Sequence, residues 1–217
     1  MGRHRSTCVP SGVFVKTYAA SWGVRRFDGP KYEFHMRETQ TYEIIDDVAH
    51  RRSETDLLYL NTFNRSIILK TLKENNLVFN LLFTAKPHVF ISQYSPLASQ
   101  AQLILSDLAP YPRLSYEQGT HNSFYFSEEI LSTETVDKEI VVCDRATLFN
   151  MLIGLNGYTI CSGVISEELN GSNIIARPLA VDDYMEIGYI LPKSTRPSRL
   201  TQSYIEILKE IIVTGSI

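Results

Sequence analysis

Across residues 32–37, apolar Tyr32, Phe34 and Met36 alternate with polar Glu33, His35 and Arg37, the period of a strand with one buried face. After Thr39 the period changes. Ile44, Ile45, Val48 and Ala49 then share one helical face, with Asp46, Asp47 and His50 expected toward water. Asp56 leads into the apolar run Leu57 to Leu60, so residues 32–60 read as strand, helix, strand.

The same design returns in "EIVVCDRATLFNMLIGLNGYTICSG". Ile140 to Cys143 is a short β-branched run, Asp144 is placed to cap, and Leu148, Met151, Leu152 and Leu155 form a helical stripe that Gly157 ends. Tyr158 to Cys161 follows as a buried strand. Two such units predict an α/β fold of two lobes, each a mostly parallel sheet flanked by helices. Between them, Val89 to Ser92 is a strand, Pro96, Pro110 and Pro112 punctuate connections, and Glu117 to Ser123 is a polar loop. Met185 to Leu191 is the last strand. Leu200, Tyr204, Ile207, Leu208 and Ile211 lie at helical spacing behind Ser198, a candidate cap.

The chain has 217 residues, 44% of them hydrophobic and 21% charged, enough for two lobes. Its formal net charge of −3 offers no general basic field for nucleic acid. Cys8, Cys143 and Cys161 form neither an even disulfide set nor a CxxC pair, and no leader-like apolar run follows the basic N-terminus, so a cytoplasmic protein with no membrane association is expected.

The stretches "YEFHMRETQTYEIIDDVAHRRSETDLLYL", "PHVFISQYSPLAS", "LILSDLAPYPRLSY" and "VVCDRATLFNMLIGLNGYTICSGVI" together resemble the effector-binding domain of LysR-type transcriptional regulators, from about Phe14 to Ile211. Ser-Pro-Leu-Ala stands where that family usually has His-Pro-Leu-Ala. The resemblance implies a fold like the type 2 periplasmic binding proteins, with a small effector between the lobes. Residues 1–84 plus 185–217 would form lobe I and residues 85–184 lobe II, with hinges at "LLFTAKPH" and "RPLAVDDY". It also implies a homodimer through this domain, a tetramer in a full-length regulator, and helices Thr41 to His50 and Asp144 to Asn156 as pairing surfaces. DNA would be reached only through a winged helix-turn-helix, which nothing before Tyr32 resembles. The family's first strand should precede "STCVPSGVF", where "MGRHR" is a poor strand.

In open parallel α/β sheets, ligands gather at carboxyl ends of strands, where helix N-termini offer unpaired N–H groups. That principle selects Thr39 and Gln40, Ser6 and Thr7 before the first helix, and Asp144, Arg145 and Thr147 at the second unit. Gln118 and Thr120 follow another short strand, and Thr84 lies in the first hinge. Hydroxyls, amides, helix ends and one guanidinium suit a small anionic or amino-acid-like effector, although Thr39, Ser6 and Asp144 would serve equally as plain caps.

Enzyme signatures are absent: there is no GxSxG, GxxxxGKS or HExxH. His4, His35, His50, His88 and His121 lack ligand spacing, so neither a catalytic residue, a cofactor nor a metal is expected. The adjacent pairs Asp46–Asp47, Glu128–Glu129, Glu167–Glu168 and Asp182–Asp183 read as solvated faces. An effector-sensing regulatory domain is therefore expected, with a transporter's solute-binding protein of the same fold as the alternative.

Overall fold

The computed structural model describes residues 5–9, 34–117, 123–127, 129–165 and 167–214, with the first two strands given as backbone. Strands β1 (Arg5–Val9) and β2 (Phe34–Glu38) lead to helix α1 (Thr41–Ala49) and strand β3 (Ser53–Leu60). Helix α2 (Arg65–Glu74) and strands β4 (Leu77–Ala85) and β5 (His88–Ser92) follow. The short helix α3 (Leu105–Leu108), β6 (Arg113–Tyr116), β7 (Glu139–Val142), α4 (Arg145–Leu155), β8 (Thr159–Cys161), α5 (Glu167–Asn170) and β9 (Ile174–Pro178) come next. Strand β10 (Met185–Pro192) and helix α6 (Arg199–Thr214) complete the described chain.

The strands form a five-stranded sheet in the order β2-β1-β3-β10-β4, a three-stranded sheet β8-β5-β9 and a two-stranded sheet β6-β7. Pairing is parallel among β1, β2 and β3 and between β6 and β7. It is antiparallel where β10 meets β3 and β4, and where β5 meets β8 and β9. The expectation of mostly parallel sheets therefore fails for half of the architecture. Its cause is topological: β10 returns late in the chain and inserts between two earlier strands running the other way. Gly188 permits this close fit at a register shift, since a Cβ there would lie 2.4 Å from the Asn80 carbonyl oxygen.

Side-chain alternation sorts the core. On β3, Leu57 and Tyr59 join one buried cluster with Val89, Ile91, Ile187 and Leu208, while Leu58 and Leu60 join another with Ile44, Ile45, Val48, Ile68 and Leu72. Phe90 on the opposite face of β5 packs with Leu114, Val142, Leu148 and Leu152. The first cluster thus spans from the five-stranded sheet to the three-stranded sheet.

Those sheets are joined where β4 passes to β5 and where β9 passes to β10. The two connections touch, because the Leu179 N–H donates to the Pro87 carbonyl at 3.0 Å. Ser198 caps α6 by accepting from the Thr201 N–H at 3.2 Å, as its position predicts. Two expectations change. Strand β1 falls on "RSTCV" itself, so Ser6 and Thr7 are in-strand positions paired with β2 rather than the turn before a helix. Asp47 is buried and ion-paired with Arg52 rather than facing water.

Candidate functional site

The polar turns predicted as binding positions form as local structures. Gln40 is the N-cap residue of α1, and the preceding Thr39 hydroxyl donates to Glu43 in the first helical turn. Asp144 caps α4: its carboxylate accepts from the Thr147 N–H at 2.8 Å and from the Thr147 hydroxyl at 2.7 Å. These donors hold the Asp144 carboxyl below its ordinary pKa. The structure therefore brings Asp144 and Thr147 together as a cap, with Arg145 as the first residue of the helix. Thr84 is exposed on β4 opposite Glu186. Gln118 and Thr120 lie outside the described residues.

A cavity of about 450 Å³ lies beside the β6–β7 pair, within the size range of small-ligand sites. Parallel register places Arg113 beside Glu139 and Ser115 beside Val141, all lining the cavity, while Leu114 and Ile140 point the other way to the core under α4. The remaining wall comes from Tyr116 and Glu117 and from the segment carrying Phe124, Ser127, Glu129 and Ser132.

Arg113 is largely buried, and each of its three guanidinium nitrogens donates. Its Nε and Nη2 donate to Glu139 Oε1 at 3.1 and 2.7 Å, and its Nη1 donates to the Glu134 carbonyl at 2.8 Å. Ser115 donates to the same Glu139 oxygen at 3.1 Å.

Glu129 is 6% exposed, contrary to its reading as half of a solvated pair. Its Oε1 accepts from the Tyr116 N–H at 2.8 Å, and its Oε2 accepts from the Ser127 hydroxyl at 3.2 Å. Burial pushes the carboxyl up to about 7, and these two donors, the residue's own backbone N–H and the Arg113 charge offset only part of that cost. Each oxygen retains acceptor capacity beyond the donor it has.

The segment that carries Glu129 also fastens to the five-stranded sheet and its helices. Tyr59 of β3 donates its hydroxyl to the Ser127 carbonyl at 3.1 Å. Tyr42 of α1 meets Phe126 edge-on at a centroid separation of 5.4 Å, and Phe63 stacks on Tyr125 at 4.6 Å. A connected path thus runs from β3 through Ser127 to Glu129 and on to Tyr116 of β6. None of Arg113, Ser127 or Glu129 carries a sequence signature. The cue available in the sequence is position alone: the segment follows a short strand, as Gln118 and Thr120 do.

Residues 25–212 match a protein family described as the LysR substrate binding domain. The chain belongs to that family. Among solved structures, it is similar to the effector-binding domain of QuiR in complex with shikimate, at 13% identity over 100% of both chains, with a TM-score of 0.63. It is similar to the reduced OxyR regulatory domain from Pseudomonas aeruginosa, at 14% identity over 95% of this chain and 97% of that one, with a TM-score of 0.66. It also resembles a full-length BenM variant, at 13% identity over 99% of this chain and 69% of that one, with a TM-score of 0.67. At these identities the likenesses establish the fold. No curated protein matches the chain. Among the described residues, no helix is long and apolar enough to cross a membrane. No group of three or more His, Cys, Asp or Glu among the described residues could hold a metal ion.

Proposed function

We propose that the chain is the effector-sensing domain of a LysR-type transcriptional regulator and that its effector occupies the cavity beside β6 and β7. The observation that carries this reading is the position of the Phe124–Glu129 segment, which lines the cavity and is tied to β3 and α1. A molecule in the cavity contacts the element that links one set of strands to the other. It shifts their arrangement to the extent that it binds one arrangement more tightly.

In this reading residues 1–84 plus 185–217 act as lobe I and residues 85–184 as lobe II, in the manner of type 2 periplasmic binding proteins. The contacting connections at Pro87 and Leu179 are the hinge. Thr39 and Gln40 form the lobe I rim and the Asp144–Thr147 turn lies toward lobe II, while Gln118 and Thr120, outside the described residues, are proposed as further effector contacts. Ser6 and Thr7 on β1 and Thr84 on β4 complete the proposed set of effector-contacting residues.

Effector-driven change reaches DNA through oligomer packing. The domain pairs as a cytoplasmic homodimer, with α1 and α4 at its surface. Exposed Ile153 and Leu155 on α4 support that role. The matched family and the solved relatives are regulatory domains, which favours sensing over catalysis.

The test is a thermal-shift screen of amino acids, sulfur metabolites and small carboxylates, since a native-state binder raises the Tm by mass action. A dose-dependent rise is expected for at least one class. A folded dimer that no compound stabilises contradicts the reading.

A further inference from the structure

The cavity's own charges narrow what it can hold. Among the described residues lining it, Arg113 is the cation and Glu117, Glu129 and Glu139 are carboxylates, so negative charge exceeds positive by two when all are ionised. Arg113 already commits one N–H from Nε and from each terminal nitrogen to Glu139 and to the Glu134 carbonyl, so an incoming anion competes with partners in place. Glu117 is exposed at the mouth, and its carboxylate has no partner among the described residues. Phe124, more than half exposed, adds an aromatic ring to the rim, where its face can meet a cation.

We infer that the cavity recognises the ammonium group of a small amine or amino acid, with Glu129 as its inner acceptor and Glu117 and Glu139 as flanking carboxylates. This rests on the cavity being the effector site and adds the chemical class of the effector. A carboxylate that is 6% exposed on a cavity wall has lost its water, and an ammonium supplies a charge-assisted hydrogen bond and the opposite charge in its place. A dicarboxylate would add charge of the same sign to the three carboxylates among the described lining residues.

The groups facing Glu129 are Arg113, Tyr116 and Ser127, with Glu117 and Glu139 on the same cavity wall. Arg113 already lowers the carboxyl somewhat but leaves it near 7. An ammonium binds the ionised form, so amine affinity rises with pH through neutrality and levels off above it. With the carboxyl near 7, the gain from pH 5.5 to pH 8 is roughly thirtyfold.

The experiment uses calorimetry and thermal shift on the full chain at pH 5.5 and pH 8. The probes are L-lysine, L-ornithine, 1,4-diaminobutane, 1,4-butanediol and succinate. At least one amine is expected to bind, more tightly at pH 8, with butanediol and succinate weaker. Glu129→Gln keeps both local hydrogen bonds through the rotatable Ser127 hydroxyl. It should cost about tenfold in amine affinity at pH 8 and remove the pH dependence. Glu117→Gln, at an exposed position that leaves the fold intact, should cost severalfold.

Succinate binding without any amine overturns the ammonium assignment and leaves the effector reading standing. Amine binding that neither variant changes overturns the site. Absence of binding by every amine overturns the assignment as well, and the effector reading is then decided separately by the broader screen.

Discussion

The Asp144 turn and the Phe124–Glu129 segment flank the same two strands, and their carboxylates behave oppositely. Asp144 is half-buried, held by two hydrogen bonds from Thr147 and kept below its ordinary pKa. Glu129 is buried, accepts from the Tyr116 N–H, the Ser127 hydroxyl and its own backbone N–H, and is nevertheless raised to about 7. A carboxylate satisfied within its own helical turn stabilises that turn and needs nothing else. One that is dehydrated against a cavity and incompletely satisfied has a reason to meet a ligand. The polar turn that attracts attention in the sequence is the self-contained one, whereas the cavity group is hidden in a plain acidic pair.

The largest expected effect that can break this contrast is on stability against pH. Because the folded pKa of Glu129 exceeds the unfolded value, the native state holds the extra proton between about pH 4.5 and pH 7. Stability contributed by this group is present below that window and is lost as pH rises through it, by roughly 3 kcal/mol. Denaturant melts from pH 4.5 to pH 8 should show the decline, and Glu129→Gln should flatten it. An unchanged slope in the variant would place the titration elsewhere.

Tyr59→Phe comes next. It removes the donor to the Ser127 carbonyl and should cost about 1 kcal/mol in equilibrium unfolding. It should also reduce the distance change between the two strand sets when an effector is added, measured by paired spin labels. A full-sized change in the variant would show that the segment does not transmit binding.

Asp144→Ala removes a cap and should lower the Tm by about 2–4 °C at pH 7. Because its folded pKa is depressed, its stabilisation is present above the ordinary carboxylate range and fades as pH falls through the folded value. The smallest effects are expected for Thr39→Ala and Thr147→Ala on effector affinity, roughly twofold each, since both hydroxyls already have local partners. Losses comparable to that of Glu129→Gln would move the site toward the turns.

Legibility in the sequence follows the range of the interactions. Strand β3, helices α1, α4 and α6 and the caps at Asp144 and Ser198 were readable because periodicity and capping act within a few residues. Helix α2 and strand β4 were not recognised. Only Ile68 and Leu72 of α2 are buried, and β4 lies at a sheet edge with Val78 and Leu81 exposed, so their patterns are diluted. The antiparallel pairing of β10 depends on a return from far along the chain. Glu129 was misread for the same reason: its donor Tyr116 lies 13 positions away, and the Tyr59 contact spans 68.

The most direct test of the central claim is a crystal structure of the chain with the amine that binds best at pH 8. The account predicts the compound in the cavity beside β6 and β7, with its ammonium nitrogen within hydrogen-bonding distance of a Glu129 carboxylate oxygen. A compound seated against the Asp144–Thr147 turn, with no ligand at Glu129, would contradict it.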